Sequence, residues 1–323
     1  MPRRGCAEVG RLIVRRLISV PPVLLVVSFA VFLLLELVPG DPAVTLAGGA
    51  SATPAQIARV RRQLHLNDPV LVQYWHWLWG VLHLNFGNSL ATGLPVSTQL
   101  ASRFPVTLSL VIAASVVAIV LGVPLGIASG LRPHGVIDGG ARVISSVGVA
   151  MPNFWLAVIL VSAFAVQVRL FPSSGFTQPT SSLGQWARDI VLPASALGIA
   201  VAAALARQLR GAIVDVMDAA YVRTAWAKGI TRSGVMCGHV LKNAAMPAIT
   251  VLGLQIGYLL GGAVIIEQIF SIPGLGTYML QGITDHDLPV VQGVALLFVL
   301  FQMGMSLLVD ISYGYLNPKV RVA

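Results

Sequence analysis

The chain has 323 residues, of which 56% are hydrophobic and only 10% charged, far below the roughly 25% charged residues of an average soluble domain. That composition excludes an ordinary soluble fold, and apolar runs close to the ~20 residues that cross a bilayer as a helix point instead to an all-α integral membrane protein. The formal net charge of +9 is dispersed between those runs, a distribution that suits anionic lipid at the membrane surface rather than a nucleic-acid partner.

Residues 1–16 carry Arg3, Arg4, Arg11, Arg15 and Arg16 and read as a cytoplasmic N-terminal segment. The first apolar run, 17–38, exceeds the ~7–15 apolar residues of a signal-peptide core, so it is read as a retained anchor and first transmembrane helix. Small residues from Ala47 to Ala52 keep a cleavage site as the alternative. A long outer loop is expected over 39–105. Within it Val70 to Leu84 is apolar but interrupted by Gln73, His76 and His83, and its Tyr74, Trp75, Trp77 and Trp79 suit a helix lying at the membrane surface. Residues 106–316 then hold a five-helix core with runs at Val106–Ser129, Val143–Val168, Ile190–Ala206, Ala244–Ile266 and Val290–Ile311. Six spans are predicted, with a loop at 207–243 and a tail at 317–323.

Basic residues set the orientation, because Lys and Arg of short loops stay cytoplasmic. Fifteen flank one side of the spans, among them Arg132, Arg142, Arg207, Arg210, Arg223, Lys228, Arg232, Lys242, Lys319 and Arg321, against Arg169 and Arg188 in the short loops of the other, whose long loop with Arg59, Arg61, Arg62 and Arg103 falls outside the rule. Both termini and the 207–243 loop are therefore expected in the cytoplasm. Cys6 and Cys237 fall on that reducing side, and no disulfide framework or metal motif is expected.

Glycines at Gly253, Gly257 and Gly261 recur every four residues on the fifth span, a ridge that lets a neighbouring helix approach closely. Helix packing is the simpler reading of that ridge; a place in a solute path is the other. Ionisable groups within spans are few. Glu36 and Glu267 lie at outer span ends and Asp310 near an inner end, leaving no mid-span carboxylate or His to relay protons or to activate a nucleophile. A proton-coupled carrier and a membrane-embedded enzyme are thereby disfavoured, while a stand-alone carrier coupled to sodium through broken helices stays open. The three lysines, Lys228, Lys242 and Lys319, do not fall in a G-x-x-x-x-G-K-[ST] phosphate loop, so ATP-driven work would need another polypeptide.

The 207–243 loop offers a surface for one. Asp215 to Lys228 is predicted as a helix with acids at its start, Lys228 at its end and Gly229 to terminate it, followed by a second helix capped by Thr231 or Ser233. Tyr221 and Trp226 beside Arg223 and Lys228 have the make-up of an interface anchor. A solvated basic loop held at anionic lipid is the competing reading.

The stretch Tyr221-Val222-Arg223-Thr224-Ala225-Trp226-Ala227-Lys228-Gly229, followed by His239-Val240-Leu241-Lys242-Asn243 and Pro247, resembles the cytoplasmic EAA loop of binding-protein-dependent ABC importer permeases, in its peptide and nickel form. Arg223 stands where the general pattern has Glu, and Thr where Ala is usual, a departure common in the peptide branch. The resemblance continues through Leu37-Val38-Pro39-Gly40-Asp41-Pro42, His65-Leu66-Asn67-Asp68-Pro69, Gln73-Tyr74, Phe86-Gly87-Asn88-Ser89, Glu267 to Gly276, Asp287 to Gly293, Val309-Asp310 and Asn317 to Arg321, in the order of the first of the two permeases in such systems. It implies a type I importer permease fold and half of a pathway for di- or oligopeptides or similar solutes. It also implies a second homologous permease, two ATPase domains or subunits that carry the ATP and Mg, an extracytoplasmic solute-binding protein, and a bacterial or archaeal cytoplasmic membrane. No cofactor and no catalytic residue is implied on this chain. By the same resemblance Tyr221, Arg223, Thr224, Ala225, Lys228 and Gly229 couple to the ATPase, and Glu267, Pro273, Gly274 and Gly276 belong to an outer-loop gate or binding-protein contact, with a simple turn as the alternative. Met303 and Met305 are read as packing residues.

Overall fold

A computed structural model describes residues 18, 20–33, 41, 43–44, 47–63 and 65–316. The expected features at Cys6, Glu36, Pro39-Gly40 and Asn317 to Arg321 lie outside these residues. In chain order the helices are α1 (Val20–Phe32), α2 (Pro54–Gln63), α3 (Val70–Leu82), α4 (Val96–Leu131), α5 (Val136–Ala150), α6 (Asn153–Gln167), α7 (Leu183–Met217), α8 (Ala220–Ala227), α9 (Arg232–Ile269), α10 (Leu275–Thr284) and α11 (Leu288–Leu316). The described residues contain no β-strand.

Among them α4, α7, α9 and α11 are long and apolar enough to cross a membrane, and the pair α5 and α6 adds a fifth span if counted together. The first expected span is described only as α1. The third expected span, Val143–Val168, is not one straight helix: α5 and α6 meet at 104°. Pro152 is the cause. It lacks an N–H and crowds the residue before it out of helical geometry, and Met151 accordingly sits extended at φ −75°, ψ 126°. The apolar pattern runs straight through this break, so periodicity alone does not reveal it.

Contacts divide the described residues into two units, one from those within 108–272 and 304–316, the other from those within 18–107 and 273–303. In the first, α7 is the central helix, packing most extensively on α9 and then on α5 and α6. Small residues let α4 reach it. A Cβ on Gly122 would lie 2.6 Å from Ala202 O, one on Gly126 2.9 Å from Ala206 O, and one on Gly130 2.9 Å from Ile213 Cβ. This four-residue ladder is the close-packing ridge of the unit. On α9, Gly253 lies so near Val309 that any Cβ would collide with it, whereas Gly261 is exposed with open space around its Cα.

The second unit has its own core of Val96, Leu100, Leu275, Tyr278, Val290 and Val294. Two motifs far apart in sequence meet there. Ser89 Oγ donates a short hydrogen bond to Asp287 Oδ2, which also accepts from Ala91 N at 3.3 Å. The Arg103 guanidinium lies 4.7 Å from the Tyr278 ring centroid, and burial, then the Asp287 charge, pushes the Tyr278 hydroxyl above its usual pKa. Helix α3 does not simply float at a surface: Tyr74 packs edge-on against Phe29 at 5.1 Å and pairs with Ser28 Oγ at 2.8 Å, while Trp75 and Trp79 stay exposed.

Candidate functional site

Helix α8 is where the sequence places the ATPase contact, and its local structure is written in few residues. Instead of one helix from Asp215 to Lys228, the structure carries α7 through Met217 and restarts at Ala220, so Asp215 belongs to the last turn of α7 and Asp218 to the break. Residues Arg207 and Arg210, expected in a loop, lie on α7. At the far end Gly229 takes φ +76°. Gly229 N donates to Trp226 O at 2.9 Å and Ile230 N to Ala225 O at 3.3 Å, the paired bonds of a Schellman stop, which favours Gly because a Cβ disfavours left-handed backbone. Thr231 then starts α9, its Oγ1 accepting from Gly234 N at 3.3 Å.

Two faces result. Val222 and Ala225, three residues apart and so on one side of the helix, are 0% and 6% exposed and join a cluster with Leu209 and Ile213 of α7 and Val235 and Val240 of α9. Tyr221, Arg223, Thr224, Trp226 and Lys228 are all exposed on the remaining surface. The Thr224 hydroxyl is spent locally, donating to Ala220 O at 3.0 Å. Of the six expected coupling residues, then, Ala225 anchors, Gly229 terminates, and Tyr221, Arg223, Thr224 and Lys228 face outward.

Nearby, a buried polar centre was not foreseen from sequence. Asp138 on α5 is fully buried and accepts both arms of Arg210, Nε to Oδ1 and Nη2 to Oδ2, each at 2.9 Å. Ser129 Oγ donates to Oδ1 at 2.5 Å and His134 N to Oδ2 at 2.9 Å. The carboxylate thus ties the end of α4, the following turn, α5 and α7 together. Residues 72 positions apart leave no local signal.

The other expected residues scatter. Glu267 is fully buried in the first unit, where its carbonyl accepts from Ile272 N at 2.8 Å. In the second, Pro273 is exposed, Gly274 is buried and opens α10, and Gly276 is buried within that helix. The left-handed residue of the preceding turn is Ser271, at φ +52°, rather than either glycine. Gly253 and Gly261 face different surroundings, one packed and one open, and Gly257 is half-buried on the same helix.

Residues 122–322 match the family described as the binding-protein-dependent transport system inner membrane component, and residues 9–111 match its N-terminal region. The chain belongs to this family. It is a permease subunit of an ABC importer, a multi-pass membrane protein and not an enzyme. It is similar to a peptide transport system permease protein of Brucella abortus, 39% identical over 96% of this chain and 98% of that one. A glutathione transport system permease protein of Salmonella choleraesuis is 38% identical over 96% of this chain and 98% of its own length. Among solved structures the MetNI methionine ABC transporter aligns at a TM-score of 0.55 and 19% identity, covering 68% of this chain and 96% of that one. An amino acid ABC transporter aligns at 0.51 and 17%, covering 67% and 93%. These likenesses show a shared fold.

Proposed function

We propose that this permease subunit forms half of the transmembrane pathway for peptides, di- or oligopeptides or compounds of similar size, handed over by an extracytoplasmic binding protein. The relatives at 36 to 39% identity, which align over nearly their whole length and are named for peptide or glutathione transport, support that substrate class. A second, homologous permease supplies the other half, and two ATPase domains or subunits hold ATP and Mg; no cofactor is assigned to this chain. Both termini and α8 face the cytoplasm in this reading, which the fifteen-to-two excess of basic residues flanking the spans on that side supports.

The observation that carries the mechanism is the two-faced α8. A short helix held from beneath by buried Val222 and Ala225 moves with α7 and α9, and its exposed Tyr221, Arg223, Trp226 and Lys228 meet the ATPase. Closure of the ATPases pushes this helix, the spans rock, and the cavity alternates between the two sides of the membrane. Glu267, Pro273, Gly274 and Gly276 are assigned to the outer gate or binding-protein contact on resemblance.

Replacing both Tyr221 and Trp226 with Ala strips the aromatic anchors without touching the buried face. In the assembled complex this variant is expected to lose co-purifying ATPase and solute-stimulated hydrolysis while the permease stays in the membrane. Full ATPase retention with full uptake would overturn the assignment of α8.

A further inference from the structure

His65, Asp68 and His76 converge in the second unit through a turn that the surrounding helices fix. Helix α2 ends at Gln63, His65 adopts φ +54°, Asp68 N donates to His65 O at 3.0 Å, and Pro69 leads into α3, on which His76 sits two turns along. One ring nitrogen from each His and a carboxylate oxygen all fall within 4.8 Å of one another. From Asp68 Oδ2, His65 Nδ1 is 3.5 Å away and His76 Nδ1 3.9 Å. Both distances are longer than the ~2.7–3.2 Å of a hydrogen bond. They are close to the roughly 3.4 Å between ligand atoms that each lie about 2.0–2.2 Å from a tetrahedral ion. Half-exposed side chains turn to close the remaining gap, about 1.4 Å at most against the 4.8 Å limit, without disturbing a core.

A second observation points to the same place. Gln73 is only 6% exposed, and its Nε2 donates to Asp68 O at 2.8 Å while its buried Oε1 accepts no hydrogen bond from the protein. A buried carbonyl oxygen left so is costly. Gln73 lines the same cavity as His65 and His76, a space of about 240 Å³. A water on the open position of a three-ligand ion would donate to such an oxygen, in the way outer groups steady metal sites.

We propose that His65, Asp68 and His76 bind one divalent cation of the zinc or copper(II) class, which clamps the turn after α2 to α3. Two imidazoles and a carboxylate with one open position are donors that suit these ions and not the oxygen-only coordination of magnesium or calcium. The sequence spacing H-x2-D-x7-H matches no familiar metal motif, because the left-handed turn at His65, and not a regular repeat, brings the ligands together. The site does not depend on the assignment of α8 or on the transported solute.

Zinc titration by calorimetry tests it, using the full chain in its assembled complex, purified without a histidine tag, stripped with chelator, and carrying Cys6→Ser and Cys237→Ser. One equivalent of zinc is expected to bind. His76→Ala and Asp68→Asn should each weaken that equivalent by at least about tenfold, and His83→Ala, outside the cluster, should leave it unchanged. Cobalt(II) gives an independent readout, with visible ligand-field bands expected in the unmutated site and lost in Asp68→Asn, which keeps the size and shape of the side chain. Absence of zinc uptake, or uptake that Asp68→Asn and His76→Ala leave equally tight, would overturn the proposal and reduce the cluster to a polar contact.

Discussion

Gly229 and Arg210 show how much single residues decide here. Around Gly229 a Cβ meets nothing within 4 Å, so the demand for Gly comes from its φ of +76° alone. Gly229→Val therefore imposes backbone strain on the order of 1–3 kcal/mol at the end of α8, while Gly229→Asn, a residue that tolerates left-handed backbone, costs much less. Solute-stimulated ATPase activity should fall in the first and survive largely in the second; equal activity in both would separate the stop from coupling. Arg210 matters for a different reason. It supplies both of the charged donors held within hydrogen-bonding distance of the buried Asp138 carboxylate, with Arg142 Nε at 3.6 Å standing further off. Arg210→Ala leaves that charge short of its partner, the costly way to break a buried pair. The apparent Tm of the detergent-purified complex should drop by several degrees, and Asp138→Asn in the same background should recover part of the loss.

At the scale of elements, the glycines separate two kinds of helix contact. A Cβ on Gly126 of α4 would lie 2.9 Å from Ala206 O, so Gly126→Leu is expected to disrupt packing within the subunit and lower its membrane yield. Gly261 is exposed with open space around it, so Gly261→Leu should leave the isolated subunit intact; loss of the second permease from the complex would then assign that face to pairing. How much of these elements was legible in the sequence follows from what each one depends on. Helix α8, its Gly stop and its aromatic and basic surface were readable, because local chemistry sets them. Its start was not, since the break at Asp218 and Ala219 carries neither Pro nor Gly. The bend at Pro152 was hidden by apolar residues on both sides, and the Asp138–Arg210 and Ser89–Asp287 pairings exist only through tertiary contact. The ridge at Gly253, Gly257 and Gly261 is visible as a spacing, yet spacing does not say which glycine meets a neighbour within the chain.

At the scale of the whole molecule, orientation in the membrane and assembly with partners can each be tested. Arg61→Cys and Lys228→Cys, each in a background lacking Cys6 and Cys237, should label oppositely with a membrane-impermeant thiol reagent on intact cells. Labelling at position 61 alone supports the orientation, and labelling at position 228 alone reverses it. The assembly claim is central: family membership makes this chain one part of an importer, the sequence contains no phosphate-cradling loop, and α8 presents an unmatched aromatic and basic face. Reconstitution in liposomes measures it most directly. The purified chain alone should neither hydrolyse ATP nor take up peptide, and both activities should appear when the second permease, the ATPases and the binding protein are added. Peptide uptake by the single chain, driven by an ion gradient with no ATPase present, would contradict the account and make the protein a secondary carrier.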